Sequence, residues 1–191
     1  MKIVKGEAGY LRSQKKIEII KAAVSFGLVF AILITGIVTT GNRLNWMTII
    51  AVLGCLPASK VLVGVITRMP YKSIDKKMAD EIAGKTTYLT TVYDMIITSR
   101  EKIMPVECMV ISDHTVCGYA SSKKVDVQYA ADYIKQMLNQ NKIDHVTVKL
   151  FDGYTKFITR AEGMNNMAAI DEPESKEREE LIRQLILSIS M

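Results

Sequence analysis

The chain has 191 residues, and 49% of them are hydrophobic. Its three cysteines are odd in number and lack the spacing of a disulfide framework, which excludes a small disulfide-stapled fold and is typical of a reducing compartment. The formal net charge of +5 is unevenly placed, because residues 1–72 carry a net charge of +8 and residues 73–191 carry one of −3. A nucleic-acid-binding domain concentrates positive charge in itself, so the acidic C-terminal part argues against nucleic acid as a partner.

Two apolar stretches near the N-terminus predict a pair of transmembrane helices. Residues 22–40 contain no charged side chain, and nineteen residues of helix nearly match the roughly 30 Å hydrocarbon core of a bilayer. After five residues a second stretch begins at Trp46 and continues past Lys60 to Thr67. We therefore predict a transmembrane hairpin over residues 22–67. The alternative is a cleaved signal peptide, but its apolar region is normally shorter and no Ala-x-Ala-like site follows.

The charges that flank the hairpin predict its orientation. Residues 1–21 form a basic segment with six Lys and Arg residues, residues 68–77 contain four, and the loop between the spans contains one. The positive-inside rule therefore predicts a multi-pass protein of the cell membrane with both termini in the cytoplasm. The lipid bilayer is then the first partner, and anionic headgroups are expected near the basic flanks.

Small side chains repeat every four residues within both spans, a spacing that lets helix backbones approach closely in lipid. Either the two helices of the hairpin pack on each other through these residues, or the residues assemble a homo-oligomer. Lys60 is an intramembrane charge, which either snorkels to the nearer headgroups or lies on an ion path. The predicted helix-packing residues are Ala23, Gly27, Ala31, Thr35, Ala51, Cys55 and Ser59.

The rest of the chain predicts a connector and a cytoplasmic α+β domain. Residues 68–85 carry apolar side chains every four residues and are expected to form an amphipathic connector helix. The domain is expected to occupy residues 86–191. Its first segment, residues 86–98, is rich in Thr, Tyr, Val and Ile and fits a strand, although the spacing of its apolar side chains also allows a helix.

Two hairpins and two helices follow in the predicted domain. The first hairpin turns at Asp113 and precedes a helix that Asp126 caps. The second pairs residues 145–151 with residues 154–161 across Asp152-Gly153, the strongest turn signal in the chain, and a last helix ends the domain. The predicted order is β-ββ-α-ββ-α, with one antiparallel sheet, both helices on one face and the other face open to a partner.

No arrangement of residues predicts a catalytic, metal-binding or cofactor-binding site. The histidines and the two domain cysteines follow no zinc-finger spacing, nothing fixes a base beside a thiol nucleophile, and the scattered glycines form no phosphate loop. Lys156, Phe157 and Arg160 place basic and aromatic groups on a predicted strand, a pattern of RNA-binding sheets that the domain's negative charge opposes. The histidines and domain cysteines are Cys108, His114, Cys117 and His145.

We therefore expect a small integral membrane protein whose cytoplasmic domain is a non-enzymatic protein-interaction module. It would serve as an accessory or scaffold subunit of a membrane complex, with a protein partner or as a homo-oligomer. Two alternatives are left open by the sequence. A membrane-anchored enzyme, hydrolase or nuclease-like, requires a deep polar pocket with convergent acids, and a transport protein requires an oligomer with Lys60 facing its lumen.

Overall fold

The computed structural model describes residues 3–41, 46–170 and 175–191. It divides the chain into two compact units, Leu11–Lys72 and a second unit formed by Met1–Tyr10 together with Ser73–Met191. Most of the loop predicted between the two spans, and the start predicted for the last helix at Asp171 and Pro173, lie outside the described residues. Each unit is described by itself below.

Two helices, α1 (Tyr10–Thr40) and α2 (Trp46–Arg68), form nearly all of the Leu11–Lys72 unit. Both are long and apolar enough to cross a membrane. They run antiparallel, since Glu18 of α1 forms an ion pair with Arg68 at the end of α2, and a Cβ at Gly54 would lie 3.1 Å from Cγ2 of Val29. This close approach is typical of helices packed through small residues.

Every seventh residue of the two helices is buried in their contact. A seven-residue period keeps one stripe of each helix facing its neighbour, as in coiled coils. The stripe consists of small and β-branched residues. Its members are Ala22, Val29 and Gly36 on α1 and Ala51, Ala58 and Val65 on α2.

The second unit combines four further helices with a four-stranded sheet. The elements are α3 (Lys76–Lys85), β1 (Thr90–Thr98), β2 (Ile103–Ser112), β3 (Thr115–Tyr119), α4 (Val127–Gln140), β4 (Thr147–Phe151), α5 (Tyr154–Ala168) and α6 (Ser175–Ile189). The sheet order is β1-β2-β3-β4, antiparallel at the first two pairings and parallel between β3 and β4. A parallel pairing needs a crossover, which α4 supplies between β3 and β4.

Several predictions for this unit are confirmed and others are wrong. Segment 86–98 is a strand from Thr90 onward, and the unit has an α+β architecture. The second hairpin is wrong, because residues 154–161 begin helix α5 and Gly153 is the residue that caps it. The wholly antiparallel sheet is wrong for the same reason: β4 pairs in parallel with β3 and has no hairpin partner.

Both faces of the sheet are covered, so the open face predicted from the sequence does not exist. Helices α4 and α6 pack on one face, and α3 and α5 belong to the core on the other. The side chains of strand β2 enter both cores. Met109 and Ile111 pack in the core with α4 and α6, and Cys108 and Val110 pack in the core with α3 and α5. A strand with apolar side chains on both faces is typical of a sheet between two helical layers.

The edge of the sheet at β1 is covered by segments close to both ends of the chain. The N–H of Tyr93 donates to the carbonyl of Gly6 over 2.8 Å, and the N–H of Met191 donates to the carbonyl of Ile96 over 2.9 Å. Lys5 Nζ donates to the carbonyl of Ser190 over 2.6 Å. Segments of the same chain therefore already occupy part of this edge.

Asp94 lies within β1 and ties this edge together. It has a positive φ of 56° and is unpaired in the β1–β2 register, which continues on both sides of it without a shift. The alternation of side chains between the two cores changes at this residue. Its buried carboxylate accepts the N–H of Gly9 over 2.9 Å, the N–H of Ile74 over 2.8 Å and the hydroxyl of Ser73. One side chain thus holds the two segments that precede and follow the Leu11–Lys72 unit in sequence.

Candidate functional site

A groove of about 570 Å³ lies between β4 and α5 and is the strongest candidate for a binding site among the described residues. Strand β4 contributes one wall and the solvent side of α5 the other. The residues that matter for its chemistry are Lys149, Phe151, Thr155, Lys156, Thr159 and Arg160. The groove, which we call the β4–α5 groove, therefore combines cations, hydroxyl groups and one aromatic ring.

The local folding of both elements brings these side chains together. Val148 and Leu150 of β4 join the core beneath α4, so the alternate residues Lys149 and Phe151 lie on the α5 face. On α5, Lys156 and Arg160 are four residues apart and share one helix face. The opposite face of α5 is buried through Phe157, Ile158, Ala161 and Met164.

The three cations of the groove form no salt bridge with any described residue. Three other cations of the described unit, Lys85, Lys102 and Arg183, do form salt bridges, and Lys85 Nζ lies 2.8 Å from Oε1 of Glu162. Lys149 Nζ lies 5.4 Å from the ring centroid of Phe151, a cation–π arrangement that keeps its charge within the groove. Because residues 73–191 carry a net charge of −3, three cations without acidic partners in one groove are a local reversal of charge.

Cys117 lies under the groove, and the positive charges of the groove affect the pKa of its thiol. Burial raises the pKa of its thiol above the ordinary value of 9.0, while Arg160 and Lys149 oppose that rise. Cys108, fully buried beside it, has a pKa raised well above the ordinary value by burial. Both thiols therefore stay protonated at neutral pH and act as small core side chains rather than as nucleophiles.

A polar contact holds α5 against α3 and so fixes one wall of the groove. Tyr154 at the start of α5 donates its hydroxyl to Oε2 of Glu81 over 2.8 Å, and its ring lies edge-on to Tyr119 at 5.7 Å. Lys85 bridges Glu81 and Glu162. Burial and the bond to Glu81 raise the pKa of Tyr154, which keeps this hydroxyl a donor across the physiological range.

Strand β4 is an edge strand beside which the described chain places no further strand. Its N–H at Thr147 donates to His114 over 2.7 Å, and its carbonyl at Phe151 accepts from Ala120 over 3.0 Å, so these residues face β3. In a parallel ladder the alternate residues face the other way, which leaves the backbone groups of Val148 and Leu150 on the outer edge. The groove and a free strand edge are therefore adjacent.

The predicted helix-packing residues lie mostly outside the contact between α1 and α2. Ala51 is buried in that contact and Cys55 is half-buried, but the four predicted residues of α1 and Ser59 are exposed. Lys60 is exposed as well. A four-residue spacing shows that small residues share a face without showing which face meets the neighbour. The seven-residue stripe was present in the same spans and is the signal that sequence reasoning missed.

The residues weighed for metal or thiol chemistry do not assemble into a site. No group of three or more His, Cys, Asp or Glu side chains among the described residues is placed to hold a metal ion. His114 Nε2 instead lies 3.2 Å from the carboxylate of its neighbour Asp113 at the β2–β3 turn.

A second cavity, of about 580 Å³, lies beside the β1–β2 turn and α4. The Ser99 hydroxyl in its wall is used by the turn itself, since it accepts the N–H of Lys102 over 2.9 Å. Because that group is already committed, the β4–α5 groove remains the stronger candidate. Comparisons of the chain with known protein families, with curated proteins and with solved structures find no match.

Proposed function

We propose that this is a small integral membrane protein whose cytoplasmic domain is a non-enzymatic docking module, acting as an accessory or scaffold subunit of a membrane complex. Helices α1 and α2 form the membrane anchor, and the β4–α5 groove is the docking surface. The observation that carries the proposal is the groove: three cations without acidic partners beside a free strand edge, on a domain whose net charge is negative.

The surface of the helical hairpin supports the anchor. Large apolar side chains face outward along both helices, with Val38 77% exposed and Leu56 70% exposed. A helix pair in water would leave this surface as an aggregation liability, whereas lipid solvates it. The basic residues outside the two spans support an orientation with both termini in the cytoplasm, as the positive-inside rule expects.

The groove supports docking of a protein because its features suit an extended, charged surface. Edge strands with unpaired backbone groups are sites at which other chains add to a sheet. Cations that lack partners within their own chain are available to the carboxylates of another, and such complementarity steers association. The hydroxyls of Thr155 and Thr159 add donors and acceptors on the same wall.

The test is a comparison of two variants that remove the same charge from different places. The first, Lys149→Gln/Lys156→Gln/Arg160→Gln, neutralises the groove, and the second, Lys123→Gln/Lys124→Gln/Lys135→Gln, neutralises exposed lysines outside it. Full-length tagged proteins are extracted gently from the native membrane, and co-purifying proteins are quantified by mass spectrometry. We expect one stoichiometric partner that is lost from the groove variant alone. Equal recovery with both variants, or no partner with the wild type, contradicts the proposal.

A further inference from the structure

We propose that the docking segment of the partner is an extended acidic peptide that adds to β4 as a fifth strand, with its carboxylates seated on Lys149, Lys156 and Arg160. This inference rests on the proposed docking function and names the chemistry and the binding mode of that same groove. It is argued from the edge, from the pattern of side chains beside it, and from the placement of the cations.

The edge at β4 offers a short, complete template for one added strand. The outward residues Val148 and Leu150 each present an N–H and a C=O, so a paired segment gains about four backbone hydrogen bonds. The other edge of the sheet cannot serve, because Gly6 and Met191 already bond to β1 there. A fifth strand can therefore be added at β4.

The side chains near this edge specify an alternating ligand. Successive side chains of an added strand point to opposite faces, and the strand lies about 4.8 Å from β4. On the α5 face they meet Lys149 and the groove cations, which select carboxylates. On the α4 face they meet Val148 and the half-buried Ile143, which select apolar side chains. The expected segment alternates Glu or Asp with Val, Ile or Thr.

The positive charges beside β4 could serve only to prevent unwanted strand pairing, but this role does not explain the positions of all three cations. A lysine on an edge strand discourages unwanted pairing, and Lys149 alone would do this. Lys156 and Arg160 are on α5, not on the strand, and they line the groove four residues apart without acidic partners. Two more cations aimed at the space beside β4 favour a bound anionic segment over simple protection.

The experiment measures binding of fluorescein-labelled peptides to the full-length protein in lipid nanodiscs by fluorescence anisotropy. The probe is Gly-Glu-Val-Glu-Val-Glu-Val-Gly, and a matched peptide carries Lys in place of Glu. Two more peptides are N-methylated, either at every Glu or at every Val, which removes backbone donors on one side of the strand and leaves the charge unchanged. We expect the acidic probe to bind and the Lys peptide not to bind.

Strand addition predicts that the two methylated peptides bind differently. Only one of the two sets of N–H groups faces β4, so one methylated peptide loses binding and the other retains it. The groove variant is expected to bind the acidic probe roughly tenfold more weakly, as for the loss of two or three exposed ion pairs, and the control variant normally. A thermal unfolding scan of each variant confirms that the domain remains folded.

Several outcomes overturn the inference. Equal binding by both methylated peptides shows that charge alone is recognised, and displacement of the probe by inorganic phosphate at equal charge concentration shows a simple anion site. Absence of probe binding removes the acidic strand as the ligand. In one outcome the acidic probe fails to bind while the co-purifying partner is still lost from the groove variant. That pair of results supports docking at the groove and contradicts strand addition, so the two proposals can fail separately.

Discussion

The two edges of the sheet are protected in different ways. At β1 the chain covers its own edge with backbone from both ends, fixed by Asp94 and by the bonds from Gly6 and Met191. At β4 no described strand covers the edge, and charged side chains lie beside it instead. Covering an edge contributes to the stability of the fold, whereas charged side chains discourage indiscriminate pairing and leave the edge to a partner of opposite charge. Residues at the β1 edge are therefore expected to control folding, and those at the β4 edge to control binding.

The largest effect is expected at the covered edge, from Asp94→Ala. The substitution leaves the N–H groups of Gly9 and Ile74 without their carboxylate acceptor and places an alanine at φ 56°. Charged hydrogen bonds are worth about 1.5–3 kcal/mol each, and the left-handed backbone adds about 1 kcal/mol, so we expect a loss of about 3 kcal/mol or more. Chemical denaturation of the full-length protein measures it.

Two further variants make the Asp94 prediction specific. Asp94→Asn keeps an acceptor and tolerates the positive φ, so it should recover part of the loss. Asp132→Ala removes an exposed carboxylate whose partner is the amide of Gln128 on the same helix, and it should change stability by less than about 0.5 kcal/mol. If the three variants unfold alike, Asp94 does not hold the β1 edge.

The next effect is expected where β4 joins the sheet, from Gly118→Ala. A Cβ at Gly118 would clash with Cδ2 of Leu150 and lie 3.0 Å from Cγ of Met109, so neighbouring side chains must move. Overpacking of this kind typically costs about 1–3 kcal/mol. Adding Leu150→Ala should give a total loss smaller than the sum of the two single losses, because the clash is then removed.

The matched control for Gly118 is Gly84→Ala in α3. No heavy atom lies within 4 Å of a Cβ built there, and alanine has the higher helix propensity, so this variant should be unchanged or slightly more stable. A Gly118→Ala protein as stable as the wild type would show that β3 and β4 have room to separate. Denaturation curves of the single and double variants decide between these results.

Alkaline pH is expected to weaken the covered edge through Tyr93. Burial, followed by nearby Cys108 and Asp80, raises the pKa of Tyr93 to about 12 from its ordinary 10.0. The folded state thus holds the phenolic proton more tightly than the unfolded chain does. Its contribution to stability is complete below about pH 10 and is lost as the pH rises to about 12.

Tyr93→Phe should therefore flatten the fall in stability above pH 10 and leave the curve below that pH parallel to the wild type. Tyr88→Phe, on a ring that is 59% exposed, is the control and should keep the wild-type slope. Thermal midpoints measured from pH 8 to 12 provide the comparison. A wild-type slope in Tyr93→Phe would assign the alkaline loss to other groups, among them Cys108, whose raised pKa acts in the same direction.

The sequence predicted the elements whose signals are local. Asp126 caps α4 as expected, with its carboxylate accepting the N–H of Tyr129 over 3.1 Å, and the β2–β3 hairpin turns at Asp113. Residues 154–161 were misassigned because Tyr, Thr, Phe and Ile favour strands locally, while burial of Phe157, Ile158, Ala161 and Met164 at helical spacing decides for α5. The cover over β1 was not predictable, since it depends on contacts between residues some 85 positions apart.

The groove was partly visible in the sequence. Lys156 and Arg160 stood out as basic residues beside an aromatic ring, and the predicted two-residue turn would also have set Lys156 opposite Lys149 on one sheet face. In the structure these residues instead line a groove, because α5 packs beside β4 after the parallel pairing of β4 with β3. The net charge of the domain argued against an anion-binding surface, because a net negative value does not reveal a local cluster of positive charges.

The smallest effect on folding is expected at the charged edge, and it separates the two edges most clearly. Neutralising Lys149, Lys156 and Arg160 together should change the free energy of unfolding by less than about 0.5 kcal/mol, because none of the three forms a salt bridge within the described chain. Denaturation beside the control variant at Lys123, Lys124 and Lys135 measures this. A loss as large as that of Asp94→Ala would make the cations part of the fold. A negligible loss, together with loss of the partner, would mean that the fold needs one edge and the function needs the other.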